Sequence, residues 1–580
     1  MKGFLFFAAS VAFTAGIVAF TQQQQQQKET SVNSRTYKNK SIIRCTADWE
    51  ALKDWLEETD IPPMPGAGTY QWKISTKSDS AQFYFNQGIN MYYGFHIIEA
   101  MASFKKAAKF DAECAMIYWA QALTYGPNIN DYGYRASPQA LEALNKAKQF
   151  ANNVTAFEKE LMDVMTVRYT ADSTDATRKQ LNEAYTARMK QLTSKYPENP
   201  DALALYADAM MLEHPWELWN GNGTPKPWTP LIRKTLEQTL AVSPMHPGGN
   251  HYYIHVMEAS PFAKLALPSS ERLGKTNPGL SHLVHMPSHI YLKTGYYQKG
   301  VDVNINAVNS YKTSIPLYAP VTGADFLYII HNLHMKTNNA MLLGDSKTTL
   351  AAAMETQESI PIYYLGIPGA MGSLVQYVYH VPVLAQIRFA KWKDLLELKQ
   401  PPKEQVYANI LVAFGKGMAL ANTGKLNEAK EQLQQMQEWM KDSVLQIPFT
   451  PFSPAIDGAV VAEHLLKGTI ALKENKLNDA IAAFKIAATT EENMVYNEPR
   501  DWLLNPKHYY GDALLKAKKG KEAQAVFEKD LLNNAENGWA LMGLYQSLLL
   551  QQKTKEAAAV KVRFEKAFKA ADVKIEGAVM

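Results

Sequence analysis

The chain has 580 residues, enough for several globular domains or one long repeat array. It is 47% hydrophobic and 20% charged, the balance of an ordinary folded, soluble chain. Its 60 basic and 56 acidic residues leave a formal charge of +4. These charges are mixed along helical faces, which excludes the basic stripe a nucleic-acid binder needs.

At the N-terminus, Lys2 precedes an uncharged, largely apolar stretch from Gly3 to Phe20, and a polar tract from Gln22 to Gln27 follows. Residues 1–21 read as an export signal. The small-residue cleavage rule is poorly met around Ala19-Phe20-Thr21, so an uncleaved anchor is the alternative; its 18 residues are just long enough to span a bilayer. Residues 22–44 are polar and low in complexity, a disordered tether. The expectation is an exported protein, periplasmic or associated with the cell envelope, touching a membrane only through this segment. Two cysteines, Cys45 and Cys114, make no disulfide framework, and neither sits in a CxxC pair. Cys114 opens an apolar helical run to Trp119 and reads as a small core residue.

A repeat then emerges. From Gly88, small or bulky apolar residues follow at offsets of 12, 16 and 19: Ala100, Phe104 and Ala107. The same offsets recur from Gly417 (Ala429, Leu433, Met436), Gly468 (Ala480, Phe484, Ala487) and Gly511 (Ala523, Phe527, Asp530). Small residues at two positions let two helices approach closely, and the bulky residue four places on is expected to fill the gap to the next unit. This pattern resembles the tetratricopeptide repeat, a helix–turn–helix unit. The resemblance implies an all-α solenoid of helical hairpins, with tetratricopeptide-like helices over 45–200 and a regular array over 401–580. Between them, 201–400 is a degenerate, loop-rich and histidine-rich middle section.

Eight of the 13 histidines fall between His246 and His334, where even scatter would place about two. They come as His251-x3-His255-x2-Glu258, His282-x2-His285-x3-His289 and His331-x2-His334. Spacings of three, four and seven put side chains on one helical face. With Ser288 at the eighth position of a unit, His282, His285 and His289 occupy positions two, five and nine of a first helix. In the tetratricopeptide family those positions face the concave groove. A step of 34 residues back gives His251, His255 and Glu258 the same inner face. His331 to Met335 looks like a third copy of His282 to Met286, and in both a glycine follows 13 residues on, Gly295 and Gly344. The 49-residue step between these copies requires an insertion of about 15, which Asn304 to Tyr328 can hold. Seven histidines and Glu258 are therefore expected in one groove.

Imidazoles with one carboxylate suit a transition metal such as zinc, copper or iron, rather than calcium or magnesium. Two other readings stand beside this one: a metal-free groove for a peptide or small ligand, and histidines that only satisfy packing. Tyr252 and Tyr291 are near enough in sequence to partner the imidazoles. Trp216, Trp219 and Trp228 flank a Gly/Pro loop and are expected to cover the groove as a lid. His246, before Pro247-Gly248-Gly249, reads as helix-start chemistry. His96, His214, His380, His464 and His508 stand alone and read as packing or surface residues. The zincin pattern fails, because Tyr252 follows His251 where that chemistry needs glutamate. Gly221-x-Gly223 lies in a proline-rich loop and is neither a dinucleotide fingerprint nor a P-loop.

The motifs Tyr93-Gly94-Phe95, Ala122 to Asn130, His246 to His255 and His282 to Tyr291 resemble a largely uncharacterised group of exported bacterial tetratricopeptide proteins. That resemblance implies the fold and carries no activity. Two functions remain: a binding or scaffold solenoid whose groove takes a peptide, protein segment or small ligand, or a metal-dependent enzyme with Glu258 as ligand or general base.

Overall fold

Eight helices along the chain end in the same way. A residue in the left-handed region (Phe95, Gly295, Gly344, Ala390, Gly424, Asn475, Lys518 or Gln552) follows the last turn. The next amide then reaches back five residues to a carbonyl: His96 to Met91, Tyr296 to Tyr291, Asp345 to Ala340, Lys391 to Gln386, Lys425 to Leu420, Lys476 to Ala471, Lys519 to Leu514 and Lys553 to Leu548, all at 2.9–3.1 Å. This is the Schellman closure, which satisfies orphan carbonyls and reverses the chain within a few residues. Each closure joins two helices into a hairpin. Asp79–Tyr93 pairs with Ile97–Phe110, Val406–Asn422 with Leu426–Trp439, Ala455–Lys473 with Leu477–Asn493, and Pro506–Lys516 with Gly520–Asn533. Gly295 and Gly344, 13 residues after the first histidine of each copy, are two of these turns.

The computed structural model describes residues 47, 49–50, 52–130, 134–221, 223–314, 325–449, 452–500 and 502–580. The expected signal or anchor, the tether and Cys45 lie outside these residues. So does part of the expected insertion: the Tyr297–Ser314 helix carries Asn304, and the next helix, Asp325–Leu343, begins beyond residue 324. Among the described residues the fold is all-α, an array of tetratricopeptide-type hairpins, and extended pairing is limited to two isolated bridges. Cys45–Met580 form one unit. No described helix is long and apolar enough to cross a membrane.

The bulky repeat residue meets the next unit, as expected, and also packs against its own hairpin's glycine. A Cβ on Gly88 would lie 2.5 Å from the Phe104 ring, one on Gly468 2.5 Å from Phe484, and one on Gly511 2.3 Å from Phe527. Each phenylalanine lies where its own hairpin's glycine lacks a side chain. Contact with the following unit occurs as well: a Cβ on Gly543 would lie 2.1 Å from Phe527, the Phe484 and Tyr509 ring centroids stand 5.8 Å apart, and Leu466 of the next hairpin approaches Gly417.

The C-terminal hairpins return against the middle section. The Tyr297 hydroxyl donates to the Ala535 carbonyl at 2.7 Å, and the Trp539 indole to Met341 at 2.9 Å. Asp572 accepts from the Ser346 and Lys347 amides. This return lays the segment between Asn493 and Pro506 against the histidine helices.

Candidate metal centre

The Pro247–Glu258 helix starts at a built cap. His246 Nδ1 accepts from the Gly249 amide at 2.9 Å, and its Nε2 lies 3.2 Å from Asp201 Oδ1. Pro247 occupies the first turn, where a missing amide hydrogen costs nothing. At Gly248 a Cβ would stand 2.4 Å from the Tyr93 ring. That close approach puts His251 Nδ1 2.6 Å from the Tyr93 carbonyl. The second histidine segment is two short helices, Ser281–His285 and Pro287–Thr294. Pro287 has no amide to continue the ladder, so the helix breaks there.

Six imidazoles from four helices meet in two groups. His251 Nε2 lies 3.1 Å from His255 Nε2 and 3.0 Å from His282 Nε2. His285 Nε2 lies 2.8 Å from His289 Nε2 and 2.9 Å from His331 Nε2. The groups adjoin, with ring centroids of His282 and His285 5.9 Å apart and those of His255 and His289 6.2 Å apart.

The opposite ring nitrogens explain the orientation. His251 Nδ1 faces a backbone carbonyl, so it carries the proton. His255 Nδ1 lies 2.9 Å from Glu258 Oε1, and His289 Nδ1 lies 2.6 Å from Glu258 Oε2. His285 Nδ1 lies 2.9 Å from Asn304 Oδ1, whose amide nitrogen donates to Gly300. In His251, His255 and His285 the Nδ1 proton is held by an oxygen, which aims Nε2 into the group, and His289 Nδ1 lies within ion-pair distance of Glu258 without a hydrogen bond. Bare lone pairs about 3 Å apart repel unless a cation lies between them. Imidazoles anchored through the far nitrogen by a carbonyl or carboxylate are the arrangement that metal-ligating histidines adopt.

Burial holds His251, His282 and His285 well below the usual imidazole range and brings His289 and His331 down to about 4. Burial also opposes charge on His255, but Glu258 and Glu498 outweigh it and push that group up to about 9. Five of the six rings are therefore neutral at pH 7, the form that coordinates metal.

Glu498 was invisible to sequence reasoning. It comes from the C-terminal array, and no periodicity links it to the histidines. Its Oε2 lies 3.8 Å from both His289 Nε2 and His331 Nε2, and its Oε1 lies 3.7 Å from His255 Nδ1. Tyr496 on the same segment donates to Glu258 Oε2 at 3.1 Å. Phe95 was missed as a site residue, although its motif carried the resemblance. Its ring lies 4.6 Å from His251, 6.1 Å from His255 and 5.5 Å from His282.

The remaining expected residues take different places. His334 does not join the cluster: its ring packs 5.9 Å from Tyr377, and burial lowers it to about 3. Glu258 stands behind the imidazoles, with both oxygens on Nδ1 atoms. Trp216 meets His255 edge to face at 5.3 Å. Trp219 donates its indole N–H to the Val256 carbonyl, and Trp228 stacks on His214 at 3.6 Å, away from the cluster. Tyr252 is buried against Tyr93, Phe95 and the His251 ring, 5.3 Å from the last, and the Tyr291 hydroxyl donates to Glu271. Nor do the histidines line an open groove. The Glu498 segment packs over them, and only His331 keeps appreciable exposure, 21% of its side chain.

No family model matches this chain, and no curated protein matches it. Among solved structures, it is similar to a human IFIT1 dimer with m7Gppp-AAAA, at 14% identity over 86% of this chain and 92% of that one, TM-score 0.29. It is similar to the APC/C hetero-tetramer Cut9–Hcn1, at 14% identity over 91% and 81%, TM-score 0.26. It is also similar to the P58(IPK) TPR domain, at 11% identity over 82% and 99%, TM-score 0.21. At these scores the likeness carries no argument, and the tetratricopeptide-type fold stands on the hairpins and turns of the chain itself.

Proposed function

We propose that this protein is an exported solenoid that holds a transition metal, of the zinc, copper or iron type, in its buried histidine cluster, and that it acts as a binding or scaffold protein organised by that metal. One observation carries the reading. In each of two groups, three Nε2 atoms converge, while His251, His255, His285 and His289 are anchored from behind through Nδ1. Packing histidines have no need of such convergence, because each would satisfy both nitrogens separately. The all-imidazole donor set suits borderline metals. The outer helical faces are left for a peptide or protein segment.

Elemental analysis of protein purified without a histidine tag tests this. The wild type should carry near-stoichiometric metal, and the His251→Ala/His285→Ala double variant should carry none. His464→Ala, a half-buried histidine outside the cluster, should keep its metal. Metal-free wild type that stays empty after reconstitution would sink the metal reading and leave a metal-free ligand site to be sought.

A further inference from the structure

We propose that the cluster is two inequivalent metal positions. His251, His255 and His282 form one from imidazoles alone. His285, His289 and His331 form the other, which the Glu498 carboxylate completes from the C-terminal array. This inference rests on the metal reading above.

Four ligands at about 2.0–2.1 Å around a tetrahedral metal stand about 3.3 Å from one another. In the second group the nitrogen separations are 2.8 and 2.9 Å, and the carboxylate oxygen stands 3.8 Å from two of the nitrogens. These values bracket the ideal edge, so a small inward movement of Glu498 closes a four-ligand shell. In the first group the separations are 3.1 and 3.0 Å, and no carboxylate faces the nitrogens. Glu258 cannot serve there, because its two oxygens are spent on His255 Nδ1 and His289 Nδ1. It joins the groups instead: one carboxylate orients a ligand of each.

Glu498 itself calls for a cation. It is 11% exposed, and its Oε1 is buried with no hydrogen bond. A buried carboxylate without donors is costly unless a positive charge meets it. The five neutral rings bring none, and the charged His255 turns its Nδ1 to Glu258 at 2.9 Å, leaving Glu498 at 3.7 Å. The segment is pinned at both ends, which makes the placement a feature of the fold. Tyr496 bonds Glu258 on the site side. Arg500 and Lys507 both pair with Glu491 at the end of the Leu477–Asn493 helix. Arg500 is thus a positioning residue for the carboxylate of the second position.

The test uses the full chain, stripped by dialysis against chelator and reloaded with Zn2+ or Co2+. Equilibrium dialysis with elemental analysis should give two equivalents in the wild type. His251→Ala and His285→Ala should each keep one. Glu498→Gln should keep one tight equivalent and weaken the other about tenfold or more. Arg500→Ala should weaken the same equivalent alone, with partial recovery in Arg500→Lys. A Co2+ titration of the wild type, read by visible absorption, needs no variant to fold and should show two spectrally distinct phases. One equivalent that either alanine abolishes, with one Co2+ phase, means a single shared site; the proposal falls and the metal reading survives. Two equivalents unchanged by Glu498→Gln also overturn it. No bound metal in the wild type removes both.

Discussion

Two residues beside the histidines hold backbone conformations that their side chains disfavour. Phe95 has φ of 57° and Trp216 φ of 64°, and they are the only aromatic residues with positive φ among the described residues. Both rings touch His255. Such strain persists where surrounding structure over-determines it, and it clusters at functional sites. At Phe95 the strain has a local origin: the Schellman turn demands a left-handed residue, and four of the other seven turns use glycine or asparagine there. The ring lost on substitution and the backbone strain can be separated by experiment. Phe95→Ala should lose about 3–5 kcal/mol of stability, because a buried ring is removed and the strain is kept. Phe95→Gly removes the same ring but relaxes the backbone, so it should be the more stable of the two by about 1 kcal/mol. Chemical denaturation of both variants measures the difference, and equal stabilities would mean that the turn carries no strain.

At the scale of the helix pair, the repeat is a rule about which side chain occupies which glycine's place. In isolation an alanine is the better helix former, by about 1 kcal/mol. At Gly88 a methyl group would press into Phe104 at 2.5 Å. Gly88→Ala should therefore destabilise by about 1–3 kcal/mol despite the propensity gain. Gly274, in the Leu267–Thr276 helix, has nothing within 4 Å of its would-be Cβ. Gly274→Ala should stabilise by about 0.5–1 kcal/mol. Thermal unfolding should move in opposite directions for the two. The offsets of 12, 16 and 19 were legible because helix contacts recur with the helical period. That the phenylalanine also meets its own hairpin's glycine was not, since spacing alone does not show two partners.

At the scale of the molecule, the site depends on an array that closes on itself. Glu258 and Tyr496 are 238 residues apart and in contact. A metal held at the junction binds the native state alone and stabilises both sides of it by mass action. Chelation should lower hydrogen-exchange protection in residues 247–294 and in 494–506 together, with little change in the Asp79–Phe110 hairpin beyond Phe95. Peptide-level exchange with mass spectrometry reads this directly. Loss confined to the histidine helices would mean that the C-terminal segment contributes nothing to the site.

The primary structure by itself determined the helical class, the hairpin punctuation and the shared face of His251, His255, His282, His285 and His289. All of these follow from contacts three to seven residues apart, which a helix repeats along the chain. Only the tertiary structure decided how the rings divide into two groups, that His331 joins them while His334 turns to Tyr377, that Glu258 stands behind the imidazoles, and that Glu498 stands before them. Those outcomes depend on where the C-terminal hairpins land, and that is the sum of many small rotations between successive units. No local period in the sequence encodes that sum.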